Sequence, residues 1–173
     1  MAGAKVIVCG DIGVGKSTAV RAAMKRLGWE KPGGFFTHWG GRERGAEVLF
    51  FETWTGEKRP MARRIAPSAV PGKLAYALDP DFPDFAVRAL ADADSGRPVV
   101  VDELGLIELG APGFEEAVAK LFRGSAPVLA VVQRRALERW LGVLGPKGAA
   151  HVLRADAATR AALPGAIAEL FRA

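Results

Sequence analysis

Residues Gly10-Asp11-Ile12-Gly13-Val14-Gly15-Lys16-Ser17 match the pattern G-x-x-x-x-G-K-[ST] in full, a spacing that suits the capture of a phosphate chain. Glycines in such a loop let the backbone wrap closely, so that successive N–H groups and a helix N-terminus point at the anion. In that arrangement Lys16 neutralises the β- and γ-oxygens of a nucleotide. The Ser17 hydroxyl ligates Mg2+, and Thr18 reaches the α-phosphate. A glycine-rich turn with a chance Lys-Ser pair would look the same in isolation, so the flanking elements decide. A buried strand, Lys5 to Cys9, precedes the loop. Val20, Ala23, Met24 and Leu27 then follow at helical spacing up to Gly28, a C-cap.

A second group with chemical capacity is the acidic pair Asp102-Glu103, placed directly after the apolar run Val99-Val100-Val101. Such a strand ending in carboxylates has the form of a Walker B element. Its Asp reaches the Mg2+ shell from the C-terminal edge of the sheet, where ligands of open α/β sheets bind. Asp102 is then the metal-side carboxylate, and Glu103 is placed to orient and deprotonate an attacking water. Read without the glycine loop, the pair is an ordinary capping or loop pair.

Weaker candidates surround these two. An arginine near a γ-phosphate stabilises transition-state charge, and Arg63 or Arg64 are best placed for it, although charged loop residues commonly face water. Trp39 and Trp54 could stack on a base or pack in the core. Glu108 could hold the loop after Glu103 or face solvent. His38 and His151 lack the partner spacing of a zinc site.

The elements that must position these groups alternate strand and helix. Gly33-Gly34 leads into Phe35 to Trp39, a turn over Gly40 to Gly45, and Glu47 to Phe51, which reads as an antiparallel hairpin added to the sheet. Thr55 to Gly72 carries Gly56, Pro60, Pro67 and Pro71 among Lys58, Arg59, Arg63 and Arg64, and reads as an irregular, mobile connection. Leu74 to Leu78 reads as a strand, and Phe82, Phe85, Ala86, Ala89, Leu90 and Ala93 mark a helix closed by Ser95-Gly96. Further strands are expected at Pro98 to Val101, Val128 to Val132 and His151 to Leu153. Further helices are expected from about Pro112, over Ala136 to Leu144, and around Ile167, Leu170 and Phe171. The pattern implies βαβ units: an α/β fold with a mainly parallel sheet covered by helices on both faces.

At 173 residues the chain, 1–173, suits a single domain with one sizeable core. Half the residues are apolar and a quarter charged, with no run long enough to span a bilayer and no secretory pattern near the start. One cysteine, Cys9, sits inside an apolar strand and suits a reducing compartment. A cytoplasmic protein without a membrane partner is expected. The net charge of +5 comes from scattered Lys and Arg with no aromatic-basic cluster. That argues against a nucleic-acid partner and for a surface that welcomes polyphosphate.

Together the glycine loop, Gly34-Phe35-Phe36-Thr37, Met61-Ala62-Arg63, Tyr76 and Asp102-Glu103-Leu104-Gly105-Leu106-Ile107-Glu108-Leu109 resemble the THEP1 nucleoside-triphosphatase family, related to the human cancer-related nucleoside-triphosphatase. The resemblance runs in order along nearly the whole chain, and the string from Asp102 to Leu109 is its most particular part. It implies a RecA-like P-loop NTPase fold. It also implies slow, Mg2+-dependent hydrolysis of ATP, GTP and other nucleoside triphosphates, with loose base selectivity, and nucleotide and metal roles for Lys16, Ser17, Asp102 and Glu103. The chain departs from the family at Leu106, at Val131-Val132-Gln133 and at Thr159-Arg160. By position Gln133 could still sense the γ-phosphate from the sheet edge.

Two other readings compete with hydrolysis. A small nucleotide or metabolite kinase would use Lys58 to Arg64 as a lid and the hairpin to receive an acceptor. Kinases exclude water, however, whereas a Glu directly after the Walker B Asp favours activating it. A nucleotide-dependent binding switch is the other, but the guanine-reading Asn-Lys-x-Asp motif is excluded, because the chain contains no asparagine.

Overall fold

The structure, a computed structural model, describes residues 3–65, 76–91, 96–146 and 150–173. Its first element is strand β1 (Lys5–Gly10), whose every residue is buried. Val6 and Val8 pack into one apolar cluster and Ile7 and Cys9 into the other, as the two-residue alternation of a strand covered on both faces requires. Helix α1 (Lys16–Leu27) follows and ends on Gly28 in the left-handed conformation at φ 69°.

The remaining strands are β2 (Gly33–His38), β3 (Val48–Thr53), β4 (Lys58–Arg64), β5 (Tyr76–Leu78), β6 (Val99–Leu104), β7 (Val128–Gln133) and β8 (His151–Ala155). Among the described residues they form one sheet of order β5-β4-β3-β2-β6-β7-β1-β8. The pairs β2/β6, β6/β7, β7/β1 and β1/β8 are parallel, and β2/β3, β3/β4 and β4/β5 are antiparallel.

Helices α2 (Phe82–Ala91), α3 (Phe114–Arg123) and α4 (Leu137–Leu144) contribute to one apolar cluster; α1 and α5 (Leu163–Arg172) contribute to the other. The first cluster is aromatic. Phe35 meets Phe51 with ring centroids 4.2 Å apart, Phe82 meets Phe114 at 5.5 Å, and Phe114 meets Trp140 at 6.1 Å. Each such ring contributes about 2–3 kcal/mol by leaving water. The cluster therefore fixes β2, β6 and α4 relative to one another.

The expected α/β sheet is present, but its antiparallel part is larger than a hairpin. β2 belongs to the parallel body through β6, and three strands, β3 to β5, extend the sheet beyond it. The segment read as an irregular connection from Thr55 contains β4. Gly56, with φ 96°, makes the turn from β3, where the N–H groups of Thr53 and Gly56 bond the carbonyls of Glu57 and Thr53. Pro60 is tolerated because it lies opposite Phe50, next to a register shift between Leu49 and Phe50; bulges are where strand prolines are accommodated. The residues that look like breakers are the turn and the bulge of a strand pair. Leu74, Ser95 and the prolines at 67 and 71 lie outside the described residues.

Candidate active site

The loop after β1 leads straight into α1, whose N-cap is Gly15 at φ 101°, a conformation that L side chains resist. No side chain caps this end and no acidic residue stands in its first turn. The first N–H groups and the positive end of the helix dipole are therefore left for an external anion. Lys16 is 5% exposed. Its Nζ donates to the carbonyl oxygens of Gly10 at 2.9 Å and Asp11 at 2.7 Å, so the cation is folded back across its own loop. Ile12, Gly13, Gly15, Lys16, Ser17 and Thr18 line a cleft of about 760 Å³. Gly10 and Val14 do not line it, Val14 packing instead against the apolar cluster of α1 and α5, and Asp11 is exposed and pairs with Arg134 at 3.1 Å.

β6 brings the acidic pair to the same place. Ser17 Oγ donates to Asp102 Oδ1 at 2.9 Å. The Asp102 carboxyl is pushed up to about 6, chiefly by burial, against the pull of the Ser17 hydrogen bond. In a regular strand the next side chain would point to the opposite face. Here the pairing with β7 slips between Asp102 and Leu104, so Glu103 is the extra residue, and its Oε2 stands 3.9 Å from Lys16 Nζ. A hydroxyl and a carboxylate oxygen in contact, with a second carboxylate nearby, form an all-oxygen donor set, and the Lys16 ammonium stands beside it. Such a set suits a hard divalent cation that keeps several waters and shares its remaining positions with phosphate.

A second layer fixes Glu103. Gln133, at the end of β7, donates from Nε2 to Glu103 Oε1 at 2.6 Å. Gly105 packs against that amide, its N–H donates to Glu108 Oε2 at 2.9 Å, and its carbonyl accepts the Trp140 indole N–H at 3.0 Å. Glu108 is 3% exposed, and burial pushes its carboxyl up to about 7.

The structure thus brings together Lys16, Ser17, Asp102, Glu103 and Gln133. Arg63 and Arg64 are exposed on β4, and neither is among the residues lining the cleft, so the expected γ-phosphate contact from Arg63 is not formed by this arrangement. Among the described residues the Lys and Arg side chains that do line it are Lys16, Arg44 and Arg135. Arg135 was legible as a basic residue just beyond the end of a buried strand; Arg44 stood in a turn with no such marker. Trp39 lines the cleft, whereas Trp54 donates its indole N–H to the Val100 carbonyl at 2.9 Å and packs on Phe36. His38 accepts from the Gly40 N–H at Nδ1 and meets Glu52 through Nε2, each at 2.9 Å. Among the described residues no group of three His, Cys, Asp or Glu is placed to hold a metal.

A glycine loop joining a parallel strand to a helix, facing carboxylates at the end of another strand of that sheet, defines a P-loop nucleotide-binding α/β protein. The chain belongs to the NTPase family, whose profile matches residues 5–168, and this is the THEP1 kind of nucleoside-triphosphatase that the sequence resembles. Over 132 residues, 75% of this chain and 74% of the relative, it is 31% identical to Nucleoside-triphosphatase THEP1 of Thermotoga sp. (strain RQ2). The fold is shared with the crystal structure of THEP1 from the hyperthermophile Aquifex aeolicus, at a TM-score of 0.76 and 23% identity over 98% of this chain and 99% of that one. It is shared too with the solution structure of a human cancer-related nucleoside triphosphatase, at a TM-score of 0.72 and 24% identity over 96% of each. Among the described residues no helix is long and apolar enough to cross a membrane.

Proposed function

We propose that the protein hydrolyses nucleoside triphosphates, ATP and GTP as well as CTP and UTP, to the diphosphate and phosphate, with Mg2+ and in the cytoplasm. The observation that carries this reading is the place of Glu103: one residue beyond the Asp102–Ser17 contact and 3.9 Å from Lys16. A carboxylate there faces the terminal phosphate of a triphosphate held by the loop.

Lys16 would leave the loop carbonyls of Gly10 and Asp11 for the β- and γ-oxygens, exchanging neutral acceptors for charged ones. The backbone from Gly10 to Thr18 cradles the phosphate chain. Ser17 and Asp102 would hold Mg2+, which supplies charge neutralisation at the β- and γ-oxygens when bound. Glu103 accepts the proton of the attacking water. Gln133 keeps Glu103 in place and contacts the γ-phosphate, and Arg135, rather than Arg63, supplies cationic charge to the cleft. As the bond from phosphorus to the β–γ bridging oxygen breaks, the helix N-terminus and Lys16 take up charge on the leaving diphosphate.

The kinase alternative loses its lid, because Lys58–Arg64 is a strand held between β3 and β5. The test is phosphate release from ATP, GTP, CTP and UTP with Mg2+, run beside Glu103→Gln. Release from several nucleotides that falls away in the variant supports the reading. Normal turnover in Glu103→Gln sinks it.

A further inference from the structure

The hydrolytic reading fixes which way a triphosphate lies, and the inference below rests on that reading. The loop stands at the end of β1 and Glu103 near the end of β6, with β7 between them, on the side of the sheet that leads to β2. A terminal phosphate facing Glu103 therefore sends the nucleoside the other way, toward β8. Yet no residue of β8 or of the segment that follows it lines the cleft. The cleft opens instead past Glu103, to Thr37, His38 and Trp39 at the end of β2, to Leu49 on β3 and to Tyr76 on β5. The part of its volume that the triphosphate leaves free lies beyond the scissile end.

The walls of that part have a distinct chemistry. Trp39 and Tyr76 are half-buried, with ring centroids 5.3 Å apart and planes at 57°. Leu49 and Leu106 continue the apolar wall. His38 has both ring nitrogens committed, one to Glu52 and one to the Gly40 N–H, so it serves as a fixed wall rather than a free base. Arg44, at the rim, is exposed and has no ion-pair partner among the described residues. Aromatic rings with an exposed guanidinium at the edge suit a planar ring that carries an anionic group.

We propose that the half of the cleft bounded by Trp39, Arg44 and Tyr76 binds a second small molecule, a planar ring bearing an anionic group, at the same time as the triphosphate. Nucleoside 5′-monophosphates are the probes with this chemistry, and benzoate tests a ring with a carboxylate alone. The site is next to the terminal phosphate but separate from the nucleoside, so its occupant adds to the triphosphate instead of competing with it.

The experiment is equilibrium dialysis of the full chain, saturated with Mg2+ and a β,γ-imido ATP analogue, against labelled AMP, GMP, CMP, UMP and benzoate. At least one probe should bind saturably, one per chain, without displacing the analogue. Its affinity should fall about tenfold in Arg44→Ala, the size that a lost charge-assisted contact carries, and similarly in Trp39→Ala. Arg88→Ala, which removes a charge that stacks on Phe85 away from the cleft, should keep it within about twofold, a surface change of the usual small size. Retained binding of the analogue shows that each variant is folded, and Trp39→Phe replaces Trp39→Ala if that one is not. No saturable binding by any probe overturns the proposal. So does binding that displaces the analogue, or an affinity unchanged in both Arg44→Ala and the Trp39 variant. The two readings fail separately: the hydrolytic one if Glu103→Gln turns over normally, this one if a hydrolytically active protein leaves the second site empty.

Discussion

Gln133 Nε2 donates to Glu103 Oε1 at 2.6 Å, and Gly105 lies so close behind the amide that a Cβ there would stand 2.9 Å from Gln133 Cδ and Nε2. The amide must present its N–H2 to Glu103, since an ionised carboxylate only accepts. Its Oε1 is left buried with no partner among the described residues, so among them the bond to Glu103 is what holds the amide in place. Gly105 acts on Glu103 through Gln133.

Gly105→Ala should therefore cost turnover more than folding. The added methyl meets the end of a flexible side chain, which moves aside and releases Glu103 from its orientation. We expect kcat to fall about tenfold or more, part of what a positioned general base supplies, with triphosphate affinity nearly unchanged. Gln133→Ala should reproduce the fall in kcat and, having lost its γ-phosphate contact as well, should also weaken triphosphate binding a few-fold. Steady-state kinetics together with analogue binding read it; a kcat within about twofold of the parent in both variants would show that Glu103 needs no such support.

Lys16 and Glu103 stand 3.9 Å apart but should separate cleanly on substitution. Lys16→Ala removes a charged donor from the phosphate chain and should weaken triphosphate binding about 10- to 100-fold, the range of a hydrogen bond to a charged group. Glu103→Gln keeps a side-chain oxygen facing Gln133 Nε2. It should bind the triphosphate normally and lose turnover by about 10²-fold or more. Calorimetric titration with a non-hydrolysable analogue, beside phosphate release, checks both; equal losses of affinity in the two would refute the division of roles.

Ser17 and Asp102, joined at 2.9 Å, should show their role in the metal dependence. Ser17→Ala removes a neutral oxygen ligand and leaves a buried carboxylate without its donor. The Mg2+ concentration for half-maximal activity should rise about tenfold, a ratio that represents about 1.4 kcal/mol. Part of the activity should return at saturating Mg2+. A Mg2+ titration of parent and variant decides it, and coincident curves would remove Ser17 from the metal site.

Most of what positions this site was legible because it depends on short-range pattern. The loop declares itself by glycine spacing between an apolar strand and a helical repeat, and Asp102-Glu103 by the three valines before it. The antiparallel extension was not legible. Gly56 and Pro60 are poor strand residues, and only their partners, Thr53 at the turn and Phe50 beside the bulge, show why the chain turns at the one and β4 accepts the other. Arg63 drew attention by charge alone, and its exposed side chain does not line the cleft. The Glu103–Gln133–Gly105–Trp140 chain joins residues up to 37 positions apart, a separation that no periodicity encodes.

Glu108 supplies the clearest pH prediction. Its carboxyl is buried, and burial raises it from 4.5 to about 7, against the pull of the Gly105 N–H. The native state therefore holds this proton more tightly than the unfolded chain does. Between pH 4.5 and 7 the folded form binds more protons, so stability falls as pH rises through that window, and the contribution is fully present only below it. Glu108→Gln cannot ionise, and its Oε1 can still accept the Gly105 N–H. Near pH 5 the variant should match the parent within about 1 kcal/mol, the usual scale of a conservative substitution. At pH 8 it should be more stable by roughly 3 kcal/mol, at about 1.36 kcal/mol for each unit between 4.5 and about 7. For a chain of this size that is about 5–10 °C in Tm. Asp102 is raised by burial too, but it is present in both proteins and cancels in the difference. Thermal melts from pH 5 to 8.5 give the measurement. A constant gap between the two melting curves across that range would mean that the Glu108 proton is not coupled to folding.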